Sequence, residues 1–145
     1  MSSIHYHVLC VDDDLDTCEV LQLSCPDIRF TFAHTFASAL EFIKSGVFDL
    51  YVLDTWLPDG SGLELCREIR SADSGAPVVF LSAAAFAQDH QRAVAEGASA
   101  YLDKPSGLFR VDATIKALIL EAESRSLSAS VAAAPPGANL FKSVL

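Results

Sequence analysis

Apolar residues in this chain are gathered into five short runs, and each run is bounded by turn-forming or charged residues. Four of the runs carry no charge, which is typical of strands that are buried on both faces of a parallel sheet. Stretches with apolar residues at helical spacing separate the runs. This alternation predicts an α/β fold with one parallel sheet covered by helices on both faces. The predicted strands are Val8–Val11, Ile28–Ala33, Leu50–Leu53, Pro77–Leu81 and Ala98–Leu102.

The clearest predicted helix covers residues 35–45, where apolar residues recur at i, i+3, i+4 and i+7 from Phe36. This spacing places them on one stripe that suits a hydrophobic core. The segment Ser61-Gly62-Leu63-Glu64 has the S-x-x-E form of a capping box, so it predicts the start of another helix that ends near Ser71. The remaining helices are predicted over 15–24, 88–96 and 107–123.

At 145 residues, the chain is long enough for one domain with a hydrophobic core. Its composition changes after Arg125, where Ser and Ala dominate and the segment Pro135-Pro136-Gly137 follows. Such a composition is typical of a flexible linker or tail. We therefore expect a folded domain over residues 1–123 and a flexible tail or linker over residues 124–145.

Net charge and cysteine spacing argue against several classes of protein. The chain has 19 acidic and 10 basic residues and a net charge of -9, which argues against binding to nucleic-acid phosphates. Its four cysteines form no C-x-x-C pair, so we expect reduced core thiols instead of a zinc site or disulfides. The sequence has no signal-peptide pattern and no apolar run long enough to span a bilayer, so we expect a cytoplasmic protein.

Polar residues follow four of the predicted strands. Asp12 and Asp13 follow the first strand, Asp54 follows the third, Ser82 follows the fourth, and Lys104 comes just after the fifth. Because the carboxyl ends of parallel strands share one edge of a sheet, these side chains are expected to lie together. Carboxylate oxygens are preferred ligands of hard divalent cations, and an ammonium and a hydroxyl beside them suit phosphoryl transfer.

Each of these residues also has an ordinary structural explanation when it is considered alone. Asp54 can cap the helix that follows it, and a run of acids is commonly a solvated surface or a helix cap. A hydroxyl at a strand end is often only a local turn ligand, and a single lysine is usually solvated. The hypothesis of a site therefore depends on all of these groups meeting at one edge of the sheet.

The same residues lie in motifs that resemble those of receiver domains of two-component response regulators. The matching motifs are Val11-Asp12-Asp13, Leu53-Asp54 with Leu57-Pro58 and Gly62, Leu81-Ser82-Ala83, and Tyr101-Leu102-Asp103-Lys104-Pro105. They stand in the order of the family and at roughly its spacing, and the resemblance covers residues 5–123. It implies a flavodoxin-like (βα)5 fold, a doubly wound parallel sheet with strand order 2-1-3-4-5.

The resemblance also implies a function. Asp54 would accept a phosphoryl group from a histidine kinase or a phosphotransfer protein in a Mg²⁺-dependent reaction. The resulting change of conformation would signal to an output domain or a partner protein. Such a domain is a signalling phosphoacceptor that catalyses only its own phosphorylation and dephosphorylation, so we do not expect an enzyme. Homodimerisation on phosphorylation is a further option, and membrane binding is not expected.

By the same resemblance, Mg²⁺ would be held by Asp13, by Asp54 and by the backbone carbonyl of Trp56. Asp12 would act largely through water. The three carboxylates would thus share the ion, while Asp54 alone would be the phosphoacceptor.

The resemblance gives the remaining site residues roles in phosphorylation and switching. Lys104 would pair with the phosphoryl oxygens, and Ser82 would bond to them and move on activation. Tyr101 would be the aromatic side chain coupled to that movement. The Lys104–Pro105 peptide bond is expected to be cis, which is energetically accessible for a bond that precedes proline.

Two other functions compete with this one. A phosphatase of the haloacid-dehalogenase type also uses a strand-end aspartate and Mg²⁺, but it needs a second aspartate two residues later, where this chain has Trp56. A degenerate receiver that only binds partners would not need the intact acids, Ser82 and Lys104.

Trp56 and Ala84 offer no acceptor for the water that hydrolyses an aspartyl phosphate, so we expect a long-lived phosphorylated state.

Overall fold

The computed structural model describes residues 6–73, 75–83 and 86–132. Ala84 and the Pro135-Pro136-Gly137 segment lie outside the described residues. Among the described helices, none combines the length and the apolar character needed to cross a bilayer.

Strands and helices alternate along the chain as the hydrophobic pattern predicts. Two strands of two residues each, β4 (Trp56–Leu57) and β5 (Gly60–Ser61), pair with each other outside the main sheet. In chain order, the elements are β1 (Tyr6–Val11), α1 (Leu15–Ser24), β2 (Ile28–Ala33), α2 (Phe36–Ser45), β3 (Leu50–Leu53), β4 (Trp56–Leu57), β5 (Gly60–Ser61), α3 (Gly62–Ala72), β6 (Val78–Ser82), α4 (Ala87–Ala95), β7 (Ala100–Asp103), a 3-10 turn (Ser106–Arg110) and α5 (Val111–Ala132).

The main sheet has five parallel strands in the order β2-β1-β3-β6-β7. Because β6 and β7 are its fourth and fifth strands in sequence, this order is the predicted 2-1-3-4-5. The flavodoxin-like α/β fold is therefore confirmed. In this arrangement the order reverses between β1 and β3, and ligand sites of open α/β sheets lie at the carboxyl ends of the strands beside such a point.

The central strands of the sheet are buried on both faces, as their lack of charge requires. All four residues of the central strand β3 are buried. Alternate residues of each strand point to opposite faces, so one hydrophobic cluster forms with α2, α3 and α4, and a second forms with α1 and α5. The four cysteines are free and buried, which confirms their prediction as core thiols.

Side-chain caps fix the helices that carry the loops at the sheet edge. The Thr35 hydroxyl accepts a hydrogen bond from Ser38 N–H at the start of α2. The Ser61 hydroxyl accepts one from Glu64 N–H at the start of α3, as the capping-box pattern predicts. Each such cap contributes about 1 kcal/mol to helix stability.

The β4–β5 hairpin was not predicted, because two-residue strands carry no detectable alternation. It is held by Asp59, whose carboxylate accepts hydrogen bonds from Phe36 N–H (2.6 Å) and Ala37 N–H (3.0 Å). These amides belong to the first turn of α2, where the helix dipole favours a negative charge. The hydrogen bonds hold the pKa of the Asp59 carboxyl below its usual range. The loop after Asp54 is thereby attached to a neighbouring helix.

The last helix differs from its prediction at both ends. Residues 106–110 form a 3-10 turn, and α5 then runs to Ala132, beyond the predicted end at Glu123. Alanine is a good helix former, and neither Pro nor Gly occurs between Val111 and Ala132, so the helix meets no breaker in the Ser/Ala-rich stretch. The division of the chain into a domain over residues 1–123 and a tail stays a prediction.

Candidate functional site

Two central strands deliver three carboxylates to the carboxyl edge of the sheet. Asp12 and Asp13 follow β1, and Asp54 follows β3. One carboxylate oxygen from each residue lies within 4.8 Å of the others. Asp12 is buried at 2% exposure, whereas Asp13 is exposed. The predicted convergence of the three acids is therefore present, with an open side toward solvent.

Asp12 is held in place by main-chain and side-chain donors. Its Oδ1 accepts a hydrogen bond from Asp14 N–H at 2.9 Å, and its Oδ2 lies 2.7 Å from Lys104 Nζ. The same ammonium lies 3.5 Å from Oδ2 of Asp54. Lys104 is thus a shared counter-ion for two carboxylates from different strands. Asp14, the third acid of the run, instead caps α1 through Asp16 N–H and Thr17 Oγ1.

The pKa values of Asp54 and Lys104 are both raised in this site, for different physical reasons. Burial raises the pKa of the Asp54 carboxyl, and the negative charge of Asp12 raises it further, against the opposing effect of Lys104. Burial alone would lower the pKa of Lys104, but its hydrogen bond to Asp12 and the two carboxylate charges outweigh this and raise it. The site therefore holds an ammonium that stays charged beside a carboxylate that is costly to ionise.

Substitution of Asp54 by asparagine is expected to stabilise the metal-free protein at neutral pH. The folded state raises the pKa of Asp54, so it binds a proton more tightly than the unfolded state does. Stability contributed by this group is therefore greatest at low pH and is lost as the pH rises through the raised pKa. Asparagine cannot ionise and avoids that loss.

The measurement is urea unfolding with a chelator at several pH values between about 4 and 8, for the wild type and Asp54→Asn. The free energy of unfolding of the variant should exceed that of the wild type by a margin that grows with pH. Asp49→Asn, at the opposite edge of the sheet, serves as a control for removal of an acid. A wild type that is the more stable protein at neutral pH would contradict the prediction.

The remaining predicted residues lie at or near the same edge. Ser82, at the end of β6, is 1% exposed and forms a side-chain hydrogen bond with the Asp54 carboxylate, which lowers the pKa of that group. The partly buried ring of Tyr101 on β7 stacks on Phe80 at a centroid distance of 6.0 Å and meets His90 edge-on at 4.7 Å. The Tyr101 ring thus lies among aromatic side chains from β6 and α4.

Two further features were predicted at the site, the position of Trp56 and the cis Lys104–Pro105 peptide bond. The Trp56 side chain, on β4, is 55% exposed, so the indole lies at the surface of the loop that follows Asp54. The Lys104–Pro105 peptide bond is cis, as expected. The acids, Ser82 and Lys104 form one connected cluster at the carboxyl edge of the sheet, whereas Tyr101 lies within β7, where it pairs with Phe80.

Three carboxylates from Asp12, Asp13 and Asp54 form a donor set that could hold a metal ion. All the donors are hard oxygens, and such oxygens suit divalent cations of the Mg²⁺ and Ca²⁺ type. One of the acids is exposed, so the cluster is open to an ion and its waters. The nearby ammonium reduces the net negative charge of the set, so the affinity for a cation is moderated.

Comparison with known proteins decides the family. The family model that describes the response regulator receiver domain matches residues 8–116 of this chain. This span contains the three acids, Ser82 and Lys104. The chain belongs to the response regulator receiver family. Its curated relatives include response regulator MprA of Mycobacterium ulcerans, which is 36% identical over 114 residues, 77% of this chain and 49% of the relative.

Other relatives and solved structures agree with this assignment. The uncharacterised transcriptional regulatory protein YkoG of Bacillus subtilis is 33% identical over 78% of this chain and 50% of its own length. A two-component response regulator from Clostridium difficile matches with a TM-score of 0.73 and 30% identity, over 79% of this chain and 95% of that one. This receiver chain spans about half the length of the curated relatives it matches.

Sequence reasoning missed two residues that contact this receiver site. His34 follows β2 at the same edge, and its Nδ1 lies 2.9 Å from the Asp12 carbonyl oxygen. Cys18 on α1 places its Sγ 3.8 Å from that oxygen. His34 could have been found by the rule that found the acids, because it too is the first residue after a parallel strand. Nothing in the sequence indicates the contact of Cys18.

Proposed function

We propose that this receiver domain accepts a phosphoryl group on Asp54 in a Mg²⁺-dependent reaction and thereby switches the signal it gives to an output domain or partner protein. The observation that carries the proposal is the cluster itself, in which three carboxylates lie within 4.8 Å and one lysine bridges two of them. A structural role alone would not require three acids around one ammonium at the ends of buried strands.

The environment of Asp54 suits a nucleophile. Its Oδ1 accepts a hydrogen bond from Thr55 N–H at 2.8 Å, so the carboxylate has a fixed orientation. Its Oδ2 faces Lys104. In the proposed reaction an Asp54 oxygen attacks the phosphorus of a phosphohistidine, the P–N bond breaks, and the released imidazole nitrogen takes up a proton. Lys104 offsets the repulsion between the carboxylate and the phosphoryl oxygens.

Mg²⁺ bound at Asp12, Asp13, Asp54 and the Trp56 carbonyl would neutralise charge on the transferring phosphoryl group. The donor set described above fits such an ion, because it consists of hard oxygens with an open side. The chain's own residues would then supply orientation through Thr55 N–H and charge through Lys104.

Phosphorylation would add nearly two negative charges where Lys104 now divides its contacts between Asp12 and Asp54. The ammonium would then pair more strongly with the phosphoryl oxygens. Ser82, which already bonds to the Asp54 carboxylate, would bond to those oxygens instead. Tyr101, on the neighbouring strand, is the residue through which we propose that this movement reaches the surface.

The partners follow from the family and are part of the proposal. A histidine kinase or a phosphotransfer protein would supply the phosphoryl group, and an output domain or separate protein would read the switched state. Relatives of twice the length, including response regulator MprA, support an output domain in a longer protein. A cytoplasmic location agrees with these partners. The phosphatase alternative is disfavoured by Trp56, which offers no carboxylic acid two residues after Asp54.

The test uses the fluorescence of Trp56, the single tryptophan of the chain. Titration with Mg²⁺ should change its intensity or wavelength, and a further change should follow when beryllofluoride, a phosphoryl mimic, is added. Asp13→Asn should weaken Mg²⁺ binding, whereas Asp16→Asn, an exposed acid on α1, should leave the affinity unchanged. Equal Mg²⁺ affinity in Asp13→Asn and the wild type would remove Asp13 from the site.

Replacement of Trp56 by asparagine is expected to shorten the lifetime of the phosphorylated state. Hydrolysis needs a water opposite the leaving carboxylate oxygen, and the indole provides no acceptor for that water. One added water-positioning contact is worth about 1–3 kcal/mol in the barrier, or roughly tenfold to a hundredfold in rate. The decay of phosphorylated protein is followed in Mg²⁺ after the phosphodonor is removed. Trp56→Phe, which adds no acceptor, is the control, and equal decay of the two variants would refute the idea.

A further inference from the structure

We infer that His34 is a positioning residue of the receiver site, which orients the Asp12–Asp13 peptide plane through a hydrogen bond to the Asp12 carbonyl. The inference rests on the proposed function, because it concerns the acids that would hold Mg²⁺. His34 is exposed and lies at the end of β2, one strand away from the acids.

The contact lies where the main-chain ladder of the sheet ends. The pairing of β1 with β2 ends at Val11 and Ala33, after which Asp12 N–H still donates to the Ala33 carbonyl at 2.9 Å. On the other side, Asp54 N–H donates to the Val11 carbonyl at 2.9 Å. The next carbonyl, that of Asp12, lies beyond both ladders, so its hydrogen-bond donor comes from outside the main chain of the sheet.

His34 supplies that donor. A carbonyl oxygen only accepts hydrogen bonds, so the His34 Nδ1 at 2.9 Å must carry the hydrogen. The thiol of Cys18, at 3.8 Å from the same oxygen, is a weaker donor. Together they determine the orientation of the peptide plane that joins Asp12 to Asp13.

The orientation of this plane matters most for Asp13. The side chain of Asp12 is held independently by Asp14 N–H and by Lys104. Asp13 is exposed, so its carboxylate depends more on the direction in which the main chain presents it. Loss of the His34 hydrogen bond would let the Asp12–Asp13 plane rotate and would spread Asp13 over several positions. A metal ion would then have to order that ligand on binding, at a cost in affinity.

The test compares two amide variants, both of which keep a polar side chain at this exposed position. His34→Asn places an amide N–H where Nδ1 stands, whereas His34→Gln places it farther out, near the position of Nε2. Mg²⁺ affinity is measured through Trp56 fluorescence at one pH near 8. We expect His34→Gln to weaken binding by about threefold to tenfold, the usual effect of one hydrogen bond, and His34→Asn to stay within about twofold of the wild type.

A matched control separates positioning from general stability. His7 lies on the same strand pair at the opposite edge, where its Nε2 is 2.7 Å from Thr31 Oγ1. His7→Ala removes a histidine hydrogen bond between β1 and β2 far from the acids, so it should lower the urea midpoint without changing Mg²⁺ affinity. A loss of affinity in His7→Ala equal to that in His34→Gln would overturn the inference, and so would wild-type affinity in His34→Gln.

A second readout needs no metal. The backbone amide resonance of Asp13 reports the Asp12–Asp13 plane, and it should shift in metal-free His34→Gln but much less in His34→Asn. If the wild type binds no Mg²⁺ while this pattern holds, the proposed function fails and the positioning role stands. If the wild type binds Mg²⁺ and the Asp13 amide does not distinguish the two variants, the positioning role fails alone.

Discussion

Substitution of Asp54 by alanine should abolish covalent labelling of the protein by acetyl phosphate. This phosphodonor needs no kinase, so in the presence of Mg²⁺ the reaction depends on no other protein. Asp54 is partly exposed to an incoming phosphodonor, its Oδ1 is fixed by Thr55 N–H, and the Lys104 ammonium lies 3.5 Å from its Oδ2. Asp12 is committed to Asp14 N–H and Lys104, and Asp13 is exposed. If Asp54 is the nucleophile, as we propose, its removal leaves no carboxylate that can replace it.

Labelling is measured as phosphate that is stable to gel filtration and is released by hydroxylamine, a property of acyl phosphates. Lys104→Ala is the informative companion, because it keeps the nucleophile but removes the charge that bridges Asp12 and Asp54. It should retain some labelling and lose the change of conformation that follows. Hydroxylamine-sensitive phosphate that persists in Asp54→Ala would show that another residue is the acceptor.

The site could be predicted from sequence because of the parallel sheet. Uncharged strands and intervening helices dictate that all strands point the same way, so residues that follow different strands meet at one edge. Asp12, Asp54, Ser82 and Lys104 are far apart in the chain, but each comes directly or nearly directly after a buried run. The register of the strands determines how close these residues come, since Ser82 pairs with Asp103, the residue before Lys104.

Features that depend on particular tertiary contacts could not be predicted in this way. The β4–β5 hairpin is held by Asp59 at the N-terminus of α2, a contact across 23 residues that no local pattern indicates. The Tyr101 ring lies between Phe80 and His90, and the sequence suggests neither neighbour. The extension of α5 follows from helix propensity in a stretch whose composition is also that of linkers. Composition alone does not distinguish a longer helix from a flexible linker in this stretch.

Substitution of Gly62 by alanine is expected to be among the most destabilising single changes in the domain, although alanine is normally the better helix residue. Gly62 is the first residue of α3, and its N–H donates to the Thr55 carbonyl at 2.8 Å. A Cβ atom at this position would lie 2.0 Å from the Asp54 carbonyl oxygen and 3.1 Å from a carbon of the Phe80 ring. The first distance is far inside van der Waals contact, and the obstructing atom is backbone.

Relief of this clash requires the start of α3 to move away from the strand end that carries Asp54. We expect a loss of about 3 kcal/mol in the free energy of unfolding, the range of severe overpacking, instead of the gain of about 1 kcal/mol that alanine gives in an open helix. Displacement of the Asp54 main chain should also weaken Mg²⁺ binding in the protein that remains folded.

Urea unfolding with a chelator measures the stability, and Trp56 fluorescence with Mg²⁺ measures the site. Gly75→Ala is the matched control, because the one contact that a Cβ there would make among the described residues is with an Asp73 carboxylate oxygen, at the ordinary distance of 3.7 Å. It should change stability by less than about 0.5 kcal/mol, the usual range for surface substitutions. Stability of Gly62→Ala at or above that of the wild type would mean that the Asp54 main chain and α3 are not in the close contact on which the geometry of the site depends.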